Sequence, residues 1–95
     1  MQFKIMCRKG DLPLTLEPKE AEAVFDRLTG RSTESLPQPV LDRMGDQVKS
    51  IPGIETDGLR LNYAVFREVD HRKINAFGEL KPEDSVLLVP PIAGG

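Results

Sequence analysis

Phe3, Ile5 and Cys7 alternate with Gln2, Lys4 and Met6, and after Arg8-Lys9-Gly10-Asp11 the alternation resumes at Leu12, Leu14 and Leu16. Two period-2 runs about a glycine-containing turn predict a β-hairpin. Pro13 has no N–H to give to a ladder, which places the second strand at an edge or makes it irregular. The period then changes. Ala21, Val24, Phe25 and Leu28 stand at i, i+3, i+4 and i+7, one apolar stripe of a helix running from about Pro18 to Thr29. Pro18 suits the first helical position, Glu20 and Glu22 suit the positive end of the helix dipole, and Gly30 suits the C-terminal cap. Glu17, Glu20, Glu22, Asp26 and Arg27 are expected on the solvated side.

A Ser/Thr/Pro-rich connection covers 31–38, and Val40, Met44, Val48 and Ile51 then recur with helical spacing, predicting a shorter helix over Pro39–Ser50. Pro52-Gly53 stops it, and Asp57-Gly58 marks another turn. Leu59, Leu61, Tyr63 and Val65 alternate with Arg60, Asn62 and Ala64 as in a half-buried strand. A polar loop holding Asp70, His71, Arg72 and Lys73 follows. The run Val86-Leu87-Leu88-Val89 has no alternation and predicts a strand buried on both faces in mid-sheet, ended by Pro90-Pro91. The order of elements predicts one α+β domain over 1–95, a mixed sheet with helix packed on one face and a flexible tail over 90–95.

Composition narrows the function. The formal net charge is −2, with no Trp, one Tyr and four Phe. Nucleic-acid binding needs clustered basic side chains and, on single strands, aromatic platforms, so it is not expected. Cys7 is the single cysteine, which rules out an intrachain disulfide. Its lone partner in any metal or nucleophile scheme would be His71, in a loop, and two residues do not make a zinc site. No paired-carboxylate, Ser-His-Asp or phosphate-loop arrangement is present, so no catalytic residue and no metal site is expected. No apolar run is long enough to span a bilayer and the N-terminus alternates unlike a signal peptide; the expected location is cytoplasmic.

The specific signal is the end of the chain. Leu80-Lys81-Pro82-Glu83-Asp84-Ser85-Val86-Leu87-Leu88-Val89-Pro90-Pro91-Ile92-Ala93-Gly94-Gly95 resembles the end of MoaD/ThiS-type ubiquitin-like sulfur carriers: a leucine, an acidic turn, a buried strand, two prolines, a small apolar pair and a diglycine. Leu59 to Glu68 also resembles the penultimate region of that family. The match covers about the last third of the chain. Phe66 stands where the family has Asn, the stretch from Val69 to Val86 is longer than usual, and Thr29 to Asp57 has no clear counterpart.

The resemblance implies a β-grasp fold and a carrier, not an enzyme alone. The carboxylate of Gly95 would be adenylated with ATP held by a MoeB/ThiF-like adenylyltransferase and converted to a thiocarboxylate. Sulfur would pass to a MoaE-like subunit, forming molybdopterin for the molybdenum cofactor. No cofactor would be bound by this chain. Gly94, Ala93, Ile92, Pro91 and Pro90 would dock the tail. Glycine, without a Cβ, threads a narrow channel, and the prolines keep the exit from pairing as a strand. Aligned on the family motifs, a partner-binding patch falls on Val89, Val69 and Cys7, although alternation places Cys7 with Phe3 and Ile5, where it reads equally as core.

Two alternatives remain open in the sequence. The sulfur could go to thiamine, cysteine or tRNA thiolation, or the tail could be joined to lysines. Or the domain could bind a partner through its sheet and never use its tail. Phe77, in the long loop, reads as a core plug more than as a partner anchor.

Overall fold

A computed structural model describes residues 1–7, 10–51, 54 and 60–91. Five strands form one mixed sheet: β1 (Gln2–Cys7), β2 (Gly10–Thr15), β3 (Ala64–Arg67), β4 (Arg72–Lys73) and β5 (Ser85–Val89), with α1 (Pro18–Leu28) and α2 (Gln38–Met44) as the two helices. The strand order is β2-β1-β5-β3-β4. β5 is central, parallel to β1 and antiparallel to β3; the β1–β2 and β3–β4 pairs are antiparallel. The α+β class, the mixed sheet and the N-terminal hairpin agree with the sequence pattern. Pro13 does lie in an edge strand, opposite Lys4.

The pleat sorts side chains by parity. Phe3 and Ile5, Leu12 and Leu14, Val86 and Leu88, and Val65 are buried in one cluster with Ala21, Val24, Phe25 and Leu28 of α1. Their alternates form an outer face that no described element covers completely: Met6 is 38% exposed, and Leu87, Val89, Ala64 and Phe66 are half-buried. The expectation that β5 is buried on both faces is therefore corrected. Its position is central, but the helices lie on one side only, so Val86 and Leu88 are sealed while Leu87 and Val89 are not.

α1 begins as its sequence directs, with Pro18 in the first turn and the Glu20 carboxylate accepting the Glu17 N–H at 3.1 Å. Glu20 also meets Arg43 at 2.9 Å, and Arg43 donates to the Thr15 carbonyl at 3.1 Å, tying α2 to α1 and β2. Arg27 is a correction: expected on the solvated side, it is 1% exposed. It stands three residues after Val24, at the margin of the stripe, and the chain after α1 adds Leu36, Val40, Met44, Ile51 and Ile54 to the core.

The second helix is shorter than the expected Pro39–Ser50. It ends at Met44, and Gly45–Ser50 continues as 3₁₀ turns. Gly45 breaks the helix with φ 57°, ψ −138°, a conformation side-chain-bearing residues rarely adopt. The strand expected to start at Leu59 starts at Ala64. Leu59 lies outside the described residues. Tyr63 is buried as its parity predicts, but its N–H goes to the Leu28 carbonyl at 2.8 Å, at the end of α1, instead of to a neighbouring strand. The polar loop after β3 holds the two-residue β4 and a 3₁₀ turn at Phe77–Glu79. Phe77 plugs inward, its ring edge-on to Phe25 with centroids 5.8 Å apart.

Candidate functional site

The end of β5 organises the candidate site. β5 has partners on both sides, β1 and β3, up to Leu88 and Val89 respectively. Pro90, half-buried, and Pro91, exposed, follow at once, and with no N–H between them they cannot extend either ladder. The tail therefore leaves from the middle of the sheet's end, not from a loose edge. Ile92, Ala93, Gly94 and Gly95, the expected bearers of tail chemistry and docking, lie outside the described residues.

Two surfaces adjoin that exit. The first is the outer sheet face. The register places Leu87 beside Lys4 of β1 and Phe66 of β3, and Val89 beside Ala64. This gives a half-exposed apolar band bordered by Lys4, whose Nζ is 3.9 Å from Glu68, and by Lys73 opposite Phe66. The second is an open cleft of about 410 Å³ between the end of α1 and the β3–β4 pair, with Pro91, Arg31, Lys73, Asn62 and Asn75 in its walls.

The expected patch residues are not gathered on one face. Val89 is on the outer face beside the exit. Cys7 has the parity of Phe3 and Ile5, so it turns to the helix side; it is half-buried and its Sγ contacts the Ile5 carbonyl at 3.3 Å. Burial pushes its thiol above the ordinary value, with a smaller contribution from the charge of Asp11, while hydrogen bonding to Ser50 acts the other way. That keeps the sulfur protonated, the opposite of an activated nucleophile. Val69 is 84% exposed in the turn between β3 and β4, at the far end of β3 from Ala64, where Val89 pairs. Sequence reasoning missed Met6, Phe66 and Leu87 as neighbours of Val89. Strict alternation through β1 and β5 puts Met6 and Leu87 on the outer face, but that Phe66 stands beside Leu87 follows only from the β3–β5 register.

A charged cluster lies at the end of the sheet away from the tail. Arg67 grips Asp70 with two N–H donors, at 2.8 and 3.2 Å, and stands 4.0 Å from Asp84. That clamp, helped by the Arg72 N–H, holds the Asp70 carboxyl down at about 2. His71 follows in the left-handed region, φ 56°, exposed. Among the described residues no group of three or more His, Cys, Asp or Glu stands together as a metal site, and no helix is long and apolar enough to cross a membrane.

Compared with protein-family models, with curated proteins and with solved structures, the chain matches none.

Proposed function

We propose that this chain is a β-grasp sulfur carrier of the MoaD kind, acting through the carboxylate of Gly95. The observation that carries the reading is the run of the central strand Ser85–Val89 straight into Pro90-Pro91-Ile92-Ala93-Gly94-Gly95. The strand order, with two parallel strands at the centre and a helix after the first hairpin, supports the β-grasp assignment.

The chemistry needs little from this chain beyond reach. A carboxylate is a poor acyl donor. In the partner's site its oxygen attacks the α-phosphorus of ATP, pyrophosphate leaves, and a mixed anhydride forms. Hydrosulfide sulfur then attacks the acyl carbon, AMP leaves with the oxygen, and a thiocarboxylate remains. Throughout, the folded domain anchors the tail at Pro90 and offers the outer face to the protein that activates or unloads it. A MoeB- or ThiF-like adenylyltransferase is the proposed activator. A MoaE-like subunit making molybdopterin is the proposed acceptor, with thiamine, cysteine or tRNA thiolation as other destinations.

The test is the intact mass of the chain after incubation with ATP, a sulfur donor and such an adenylyltransferase. The expected result is the exchange of one oxygen for sulfur, lost when Gly95 is deleted. No exchange with several such enzymes overturns the reading.

A second reading has its own observation, the half-exposed band of Met6, Leu87, Val89 and Phe66. In it the sheet binds a partner without tail chemistry. A partner held equally well after deletion of Gly94 and Gly95, together with no sulfur exchange, selects it.

A further inference from the structure

The cleft beside Pro91 differs in charge from the molecule around it. Acidic residues outnumber basic ones over the chain, 15 to 13. Yet among the described residues the cleft's walls carry no carboxylate but two cations, Arg31 and Lys73, the latter on the edge strand β4 where its pairing with Phe66 sets it at the border with the outer face. The Arg31 guanidinium is already held in place. It lies 5.1 Å over the Phe25 ring and donates one N–H to the Asn75 carbonyl, which leaves further donors of its fork for another acceptor. Neither Arg31 nor Lys73 has an ion-pair partner among the described residues. Of the acids close by in the chain, Glu79 spends its carboxylate on the N–H groups of Asn75 and Ala76, both at 2.8 Å, and Asp70 is held by Arg67.

The carbonyls at the end of α1 do not compete for the cations either. Phe25 O accepts from the Thr29 N–H and hydroxyl, and Leu28 O accepts from the Tyr63 N–H.

We infer that this cleft docks an acidic segment of the protein that takes up the tail. The inference rests on the carrier reading: a protein that closes around the chain beyond Pro91 must also meet the walls beside Pro91. The complementary surface for two exposed cations that form no ion pair among the described residues, in a cleft whose walls hold no carboxylate, is a carboxylate-bearing one. Charges placed so work mainly on encounter and register, leaving the chemical step alone.

The experiment compares kcat and KM of sulfur loading for the wild-type chain, for Arg31→Glu with Lys73→Glu, and for Lys19→Glu with Lys49→Glu. The last pair makes the same change in net charge at exposed positions away from the cleft. The cleft pair is expected to raise KM about tenfold with kcat within about twofold, and the wild-type KM is expected to climb with salt. Arg31→Lys with Lys73→Arg keeps the charge and is expected to restore most of the affinity. Melting curves of all variants establish that they fold.

An unchanged KM for the cleft pair, or an equal rise for the control pair, overturns the inference while leaving the carrier reading intact. Competition by inorganic phosphate at constant ionic strength assigns the cleft to a small anion and also overturns it. A wild-type chain that never gains sulfur defeats the carrier reading, and this inference with it.

Discussion

The carbonyl oxygen of Leu61 occupies the space that a side chain on Gly30 would need. Gly30 also has φ 82°, so the residue is fixed twice, by its own backbone and by its neighbour's. The contact is where the chain approaching β3 crosses the end of α1, next to the Tyr63–Leu28 hydrogen bond. Gly30→Ala is expected to cost at least about 2 kcal/mol, because neither the left-handed backbone nor the Leu61 peptide can yield cheaply. Urea unfolding checks this. Gly45→Ala is the comparison: its φ is also positive but nothing stands where its Cβ would be, so the loss should be smaller.

Tyr63 is 4% exposed and its hydroxyl has no hydrogen-bond partner among the described residues. A buried hydroxyl left unpaired costs about 1–3 kcal/mol, so Tyr63→Phe should leave stability unchanged or raise it. Burial also pushes the phenol up to about 12, with the charge of the Cys7 thiolate a smaller contributor. The folded value is above the ordinary 10.0, so the contribution to stability is complete below that value and is lost as pH rises toward about 12. Tyr63 is the chain's single tyrosine, so phenolate absorbance reports on it alone. Ionisation near the ordinary value in the folded protein would contradict the buried placement.

Asp70 gives the opposite sign. Its carboxyl is lowered from 3.8 to about 2, first by the Arg67 hydrogen bonds and then by the Arg72 N–H. The folded value is below the ordinary one, so this contribution is present above pH 3.8 and is lost as pH falls toward about 2. Asp70→Asn should be less stable than wild type at neutral pH, and the difference between the two melting temperatures should narrow across that acidic window. A constant difference across the window would show that the carboxylate's charge does not matter. Because the pair is at the surface, the effect is expected to be modest and to weaken in salt.

Where one period governed several residues and their neighbours agreed, the sequence was readable: the hairpin, the α1 stripe and the mid-sheet place of β5. Arg27 was not, because one helix's pattern does not say that a later connection will fold over its margin. Ala64 as the start of β3 was not either, because alternation records which side of the chain is buried, not whether Tyr63 N–H finds a strand or the Leu28 carbonyl. Gly45 divided a stretch whose apolar spacing was continuous. At the candidate site, Pro90-Pro91 and the strand before them were legible from the unbroken apolar run that the prolines end. The band around Val89 needed register, which only the fold supplies: Leu87 meets Phe66 across a pairing between residues far apart in sequence.

Adjacent residues of β5 offer the sharpest test of a sheet covered on one face. Leu88 is fully buried, pairs with Ile5 and Val65, and belongs to the core with α1. Leu87 points the other way, half-exposed between Lys4 and Phe66. Leu88→Ala removes packed methyl groups and leaves a cavity, for about 3 kcal/mol. Leu87→Ala removes side-chain atoms that already meet solvent and should cost under about 1.5 kcal/mol. The effects on partner affinity should run in reverse. Leu87→Ala, alone or with Phe66→Ala, should weaken any complex formed through the outer face, since truncating a central apolar contact of an interface commonly costs more than about 1 kcal/mol. Urea midpoints and a binding titration on the same preparations separate the two quantities. Equal destabilisation by both leucine substitutions would mean that the outer face is covered after all, and the apolar band would then be core, not a docking surface.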